Sequence, residues 1–261
     1  MLQTKLAKDL GLEVPLFAFT RSPEVVVEVS RGGGMGVLGA INLSAEQLDE
    51  ALAYIDRNIG GKPYGVDTVM PMNYAGRGED FSEDKLRAMI SPAHHAFVQG
   101  LLDKHGVDAL PDDYGRKGED LLGWSLERGK EHVEVALKYP IALIANALGT
   151  PPPEVVDRAH AHGVKVAALC GKVKQAVRHK QAGLDIIVAQ GTEAGGHTGE
   201  VAGMVLTPEV VDAVGDTPVL HAAASGRAGR WPPPSPWAPR ASGPGASGSP
   251  PPSTRPTTRT S

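Results

Sequence analysis

An α/β protein built on a parallel sheet is predicted, and three observations predict it. Short β-branched runs alternate with amphipathic helices over the first 220 residues. The runs are nearly continuous in apolar residues, as befits strands covered on both faces. The same strand–turn–helix unit recurs seven times. An open doubly wound sheet and a closed (β/α)8 barrel both accommodate this pattern, and repetition of one unit favours the barrel. Seven strands are one short of closure, so the barrel is expected to be incomplete, with strand 8 missing.

The elements follow in chain order. VPLFAF (14–19) is the first strand. Ser22 and Pro23 then open a helix as N-cap and N1 residues do, and Gly32–Gly34 closes it. MGVLGA (35–40) is the second strand. LSAEQLDEALAYIDRNI (43–59) places Gln47 three residues after Ser44, a capping box, and spaces its apolar residues helically. YGVDTVM (64–70) is the third strand. Residues 74–138 are polar and helix-prone, with HHAFVQGLLDKHG and EDLLGWSLERGKEHVEVALK as the clearest helices, and read as a helical insertion. PIALIA (140–145), VKVAAL (164–169) and LDIIVAQ (184–190) are strands four to six, separated by the helices PPPEVVDRAHAHG and GKVKQAVRHKQAG. TPEVVDAVG is the next helix, and TPVLHA begins strand seven.

Composition limits the function classes. The formal net charge is −4 over 261 residues, and no basic cluster occurs in the first 220, so no nucleic-acid surface is implied. One cysteine, Cys170, excludes a disulfide framework and suits a reducing compartment. The N-terminus lacks the apolar core of a signal peptide, and no run reaches the length of a membrane span. A soluble cytoplasmic protein is expected. Beyond Leu220 the chain has no Leu, Ile, Val, Phe, Lys, Asp or Glu, but ten prolines and five arginines. Such a segment cannot bury enough surface to offset its ordering entropy. The division expected is therefore a barrel domain over 1–222 and a disordered Pro/Arg/Ser-rich tail over 223–261.

In a barrel, chemistry gathers on the loops at the C-terminal ends of the strands. AQGTEAGGHTGE (189–200) falls there, after strand six. AFTRS, MPMN, ANALGT and LCGK follow strands one, three, four and five, and would face the same mouth. Gly195 and Gly196 remove two Cβ atoms where a flat ligand can approach the backbone. Gln190 offers a donor and an acceptor at the strand tip. His197 carries the side chain suited to proton transfer near neutral pH. Plainer readings stand beside these: a glycine-rich loop is often only a turn, and a lone loop histidine is more often a polar surface residue. Glu193 and His197 fall short of a metal site, which needs three or four ligands. His94, His95, His160, His162 and His179 lie on helices, where surface or packing roles are expected. Cys170 reads as a packing residue. Asp67, inside an apolar strand, needs partners. It either faces the barrel mouth or accepts from backbone nitrogens.

QGTEAGGHTG (190–199), together with VPLFAF through GGGMGVLGAINLS and with PYGVDTVMP, resembles the nitronate monooxygenases, formerly called 2-nitropropane dioxygenases. The likeness spans about residues 3–220. It implies a (β/α)8 TIM barrel that binds FMN without a covalent link. It also implies oxidation of alkyl nitronates by molecular oxygen to a carbonyl compound and nitrite. Carried over by motif, His197 is the active-site base or hydrogen-bond donor beside the flavin. Gln190, Gly195 and Gly196 contact the ring and ribityl parts of FMN. Ala18 and Phe19 lie along the ring by their backbone. Asp67 stands where the family often has Asn, and an ionised carboxylate accepts but cannot donate. An FMN-barrel reductase of enoyl thioesters and a non-catalytic remnant are the alternatives.

The resemblance ends after Val219–Leu220, where the family continues into two phosphate-holding loops. This chain reads HAAASGRAGRWPPPSPWAPRASGPG. Back-translated with GC-rich codons and read from the third base of the Arg230 codon, RWPPPSPWAPRASGPG permits MAAALALGAQGVWTG. That is an amphipathic helix start followed by a strand. A shift of reading frame near residue 221 is therefore expected, with a natural Pro/Arg/Ser-rich tail as the alternative, and weakened FMN binding is its consequence.

Overall fold

The structure, a computed structural model, describes residues 4–72, 88–108, 125–223 and 241–244. Eight strands form one parallel sheet in sequential order: β1 (Phe17–Thr20), β2 (Met35–Gly39), β3 (Tyr64–Thr68), β4 (Leu143–Asn146), β5 (Lys165–Cys170), β6 (Ile186–Gln190), β7 (Val219–Ala223) and β8 (Ala241–Pro244). Around them run α1 (Lys5–Asp9), α2 (Pro23–Arg31), α3 (Ala45–Ile59), α4 (Pro92–Lys104), α5 (Leu126–Ala136), α6 (Pro153–Ala161), α7 (Val173–Gln181) and α8 (Gly203–Val214).

Alternation along each strand divides the apolar residues into two cores. One face packs on the helices: Leu38, Val66, Ile144, Val166, Ile187 and Val219 join residues such as Leu52 and Val210. The other face turns inward. Phe17, Val37, Leu143, Ala167, Ile186 and Leu220, drawn from six different strands, form a single separate cluster. Residues from β1 and β7 meet in that cluster only because the sheet curls round on itself, so the open-sheet alternative is set aside. Leu6, Ala7, Leu10 and Leu12, from α1 and the turn after it, belong to the same cluster and close the N-terminal end of the ring.

Seven of these strands correspond to the seven expected, and the barrel is incomplete in the sense expected: no apolar eighth strand occurs among the described residues. A four-residue piece of the tail, ASGP, runs parallel to β7 in that place, with Leu220 opposite Ala241, and also lies next to β1. These four residues fall inside the segment expected to be disordered, and they are extended. Ala223, the first residue of that segment, ends β7, and its remaining residues, 224–240 and 245–261, lie outside the described residues, as does most of the frame-shift region.

Local capping follows the sequence. The Ser22 hydroxyl accepts from the Val25 amide at 3.3 Å, and Ser44 and Gln47 make both bonds of the capping box, at 3.2 and 2.8 Å. The expected insertion divides in two. Its later helix, α5, buries His132, Val133, Val135 and Ala136 and packs on α3 and β3, so it is the crossover between β3 and β4. Its earlier helix, α4, buries no residue. Residues 74–87 and 109–124 of the insertion lie outside the described residues. The helix expected to start at Thr207 starts instead at Gly203, with Pro208 inside it. The missing Pro208 donor would have served the carbonyl of Met204, which is exposed to water, so the cost is small.

Candidate active site

The inward positions nearest the strand C-termini are where a ligand would sit. Strand alternation puts Tyr64 and Val66 of β3 on the helix side, and therefore Gly65 and Asp67 on the interior side. In register with Asp67 stand Gly39 of β2 and Ala145 of β4, followed by Ala167 and Ile186. Small residues thus flank the carboxyl on both sides. The Phe19 ring lies over Gly39: a Cβ there would stand 2.6 Å from the ring's Cζ. Phe19 itself is 39 % exposed at the mouth. Ala18 points the other way along β1, so only its backbone, paired with Gly36, is presented toward the interior.

Asp67 faces the mouth rather than a set of backbone donors. Its Oδ1 is covered and has no hydrogen-bond partner among the described residues, although the residue as a whole is only half-buried. Burial pushes its pKa up to about 8, and no neighbouring charge contributes.

Gln190 ends β6 on the interior side. Its Nε2 donates to the backbone oxygen of His197 at 3.2 Å, which ties the glycine loop back over the strand tip. His197 is exposed, and its imidazole makes no hydrogen bond among the described residues. Gly195 and Gly196 have φ of +79° and +65°, and a Cβ at either would meet nothing within 4 Å. Both glycines are therefore required by conformation and leave open space beside them.

Sequence reasoning missed the groups that fix this loop. Glu193 is one of them. Its two carboxylate oxygens accept from the Gly203 amide at 3.0 and 2.9 Å and so cap α8, whose N-cap residue Ala202 has no side chain to do it. Those bonds lower its pKa. His221, on the outer face of β7, bonds the Thr207 hydroxyl at 2.7 Å, and a Cβ on Gly203 would fall 2.5 Å from its ring. Burial lowers the His221 pKa. No short-range pattern marks Glu193, because its partner is ten residues away. Asn146 was legible in principle, as an amide ending an apolar strand. Buried, it accepts from the Met70 amide at 2.7 Å and donates to the carbonyls of Met70 and Gly149, clamping the loops after β3 and β4 together. The loops after β5 and β6 touch backbone to backbone, since a Cβ on Gly171 would stand 3.1 Å from the Gly199 Cα.

The remaining histidines and the cysteine have structural places. His179 is buried, bonded to Thr150 Oγ1 at 2.9 Å and the Leu169 carbonyl at 3.0 Å, with its pKa lowered by burial. His160 bonds Asp185 at 2.8 Å. His94, His95 and His162 lie on the surface. Cys170 is buried in the helix-side core, and burial raises its thiol pKa to about 12. Among the described residues no cluster of side chains suits a metal ion, and no helix is long and apolar enough to cross a membrane.

A ring of parallel strands, stoppered below and lined with small residues above, is the build of a barrel enzyme that takes its ligand at the mouth. Comparison gives the particular family. The profile of the family described as nitronate monooxygenase matches residues 12–228. The chain belongs to the nitronate monooxygenase family, a family of oxidoreductases. It is 47 % identical over 222 residues to a putative monooxygenase of Mycobacterium tuberculosis, Rv1533, covering 85 % of this chain and 59 % of that protein. It is 26 % identical over 234 residues to a probable nitronate monooxygenase of Staphylococcus aureus strain Newman, covering 84 % of this chain and 60 % of that one. Among solved structures, a nitroalkane oxidase from Streptomyces ansochromogenes superposes with a TM-score of 0.63 at 23 % identity, over 82 % of this chain and 59 % of the other. FabK from Thermotoga maritima superposes with a TM-score of 0.58 at 20 % identity, over 85 % of this chain and 54 % of the other. These two likenesses concern the fold. The chain spans about three fifths of the length of the curated relatives it matches.

Proposed function

We propose that this chain carries the ring-binding and proton-handling part of an FMN-dependent oxidoreductase that oxidises alkyl nitronates with molecular oxygen to a carbonyl compound and nitrite. The observation that carries the reading is the Gln190–His197 bond, which holds a histidine loop over an interior mouth walled by Gly39, Asp67 and Ala145. The residues present fit a flat ring: small side chains flank one covered carboxyl oxygen that has no partner among the described residues, and two glycines at positive φ leave open space in the loop after β6. Ala18 and Phe19 would border the ring through their backbone. Gly195, Gly196 and Gln190 would meet its other parts, and Asp67 its edge.

FMN, when bound, supplies the electron acceptance. The protein supplies position and proton control. The His197 imidazole takes the proton from the carbon bearing the nitro group, or as the imidazolium donates a hydrogen bond to a nitronate oxygen. The loop stays in place because Glu193 anchors it to α8 and Gln190 to β6. A cytoplasmic setting agrees with the single cysteine being free and buried.

The phosphate end is weaker. In the sequence ASGRAGRWPPP follows β7 in place of a glycine loop and a helix N-terminus, the usual phosphate cradle of such barrels. FMN retention by the purified chain is expected to be well below stoichiometric. Reconstitution with FMN followed by oxygen uptake on a nitronate tests the reading. Uptake that needs FMN and falls in His197→Ala supports it. NADH oxidation with an enoyl thioester, and no uptake with nitronate, would overturn it.

A further inference from the structure

Asp67 is a half-buried residue with one fully covered carboxyl oxygen, which neither folding nor the proton transfer at His197 accounts for. Its Oδ1 is covered and unpartnered among the described residues, and it lies in the wall of the mouth between Gly39 and Ala145. The Phe19 ring rests on Gly39 beside it. Among the described residues no charged side chain faces it: its register neighbours on β2 and β4 are uncharged, the interior beneath is apolar, and burial alone perturbs it.

A neutral carboxylic acid presents one donor and one acceptor side by side, whereas a carboxylate presents acceptors only. The complement of the acid form is an adjacent carbonyl and N–H on a planar ring, as in a cyclic imide. We propose that Asp67 in its protonated form is the anchor for the imide edge of a flavin-type ring, donating its O–H to a ring carbonyl and accepting the neighbouring ring N–H. This deepens, and rests on, the flavin reading above. Ring binding then takes the acid form and is lost when the carboxyl ionises, because a carboxylate cannot donate and repels the carbonyl. Asp67 is a positioning residue here.

The test uses the full chain and riboflavin, which has the ring but no phosphate, so the altered C-terminal part does not enter. Riboflavin affinity is measured by fluorescence quenching from about pH 6 to about pH 9.5 for the native protein, Asp67→Asn and Asp67→Ala. Asn keeps a donor beside an acceptor at every pH. The native protein should lose about tenfold in affinity per pH unit above the titration of Asp67. Asp67→Asn should bind with a flat profile, and Asp67→Ala should bind at least about tenfold more weakly at low pH. In parallel, the Asp67 carboxyl is followed by carbon NMR in the flavin-free protein. A midpoint in the ordinary carboxylate range, or a native binding profile as flat as that of Asp67→Asn, overturns the anchor while leaving the flavin reading intact. Absence of binding by native protein and Asp67→Asn alike overturns the flavin reading, and the anchor with it.

Discussion

His197 and Asp67 sit in opposite environments, and each consequence is measurable. His197 is exposed on a loop held by its own backbone oxygen, so replacing its side chain leaves the loop's tether to Gln190 intact. In reconstituted protein, His197→Ala should lower turnover of a neutral nitroalkane by about 10²–10⁴, the usual worth of a positioned base. A preformed nitronate should suffer less. Oxygen-electrode rates on the two substrates measure the difference. Asp67 is covered, and its pKa is raised to about 8 from an ordinary 3.8. The folded state therefore prefers the protonated acid. The contribution to stability is fully present below the ordinary carboxyl pKa and is lost progressively as pH rises to about 8. The slope in that window approaches about 1.4 kcal/mol per pH unit. Denaturant midpoints at about pH 5 and about pH 8 should separate for the native protein more than for Asp67→Asn. Asp67 was conspicuous in the sequence as a charge within an apolar strand. Which way it faced was not, because that depends on strands β2 and β4, which are remote in the chain.

At the scale of elements, the strands and two of the capped helices were legible because their causes are local. Ser22, Ser44 and Gln47 cap through residues three positions away. The start of α8 was misread because its cap is not local. Thr207–Pro208 has the look of an N-terminus, but Glu193 reaches across from the glycine loop to the Gly203 amide and starts the helix one turn earlier. Glu193→Ala should cost about 1 kcal/mol, as loss of an N-cap does. Because its pKa is lowered, the cap's contribution is present above the ordinary pKa of Glu and is lost as pH falls below it. Urea unfolding at about pH 7 and about pH 4 checks both points. The seam between β2 and α2 offers a harsher test. A Cβ on Gly36 would stand 2.5 Å from the Val26 carbonyl oxygen and 2.6 Å from its Cα. Both are backbone atoms and cannot swing aside. Gly36→Ala should destabilise by about 1–3 kcal/mol through forced separation of helix and strand, read as a lower thermal midpoint. The role of α5 as a crossover was hidden by its position at the end of a polar stretch in which α4, which buries no residue, is the more apolar of the two helices.

For the whole molecule, the curled sheet was legible from repetition, and its closure was not. The place beside β7 is taken by Ala241–Pro244, a segment whose composition predicts no strand. Four residues ending in proline give a short ladder, since proline donates no backbone hydrogen bond. Replacing Ser242 by proline removes a further donor and should lower thermal stability by no more than about 1 kcal/mol if this strand contributes little. A larger loss would mark β8 as a closing strand of the ring. The lower end of the barrel is settled in a different way. Leu6, Leu10 and Leu12 plug it from α1 and the turn that follows. With the floor sealed by leucines, the interior opens at one end only among the described residues, so whatever enters by that doorway must leave by it and free it before the next can come in.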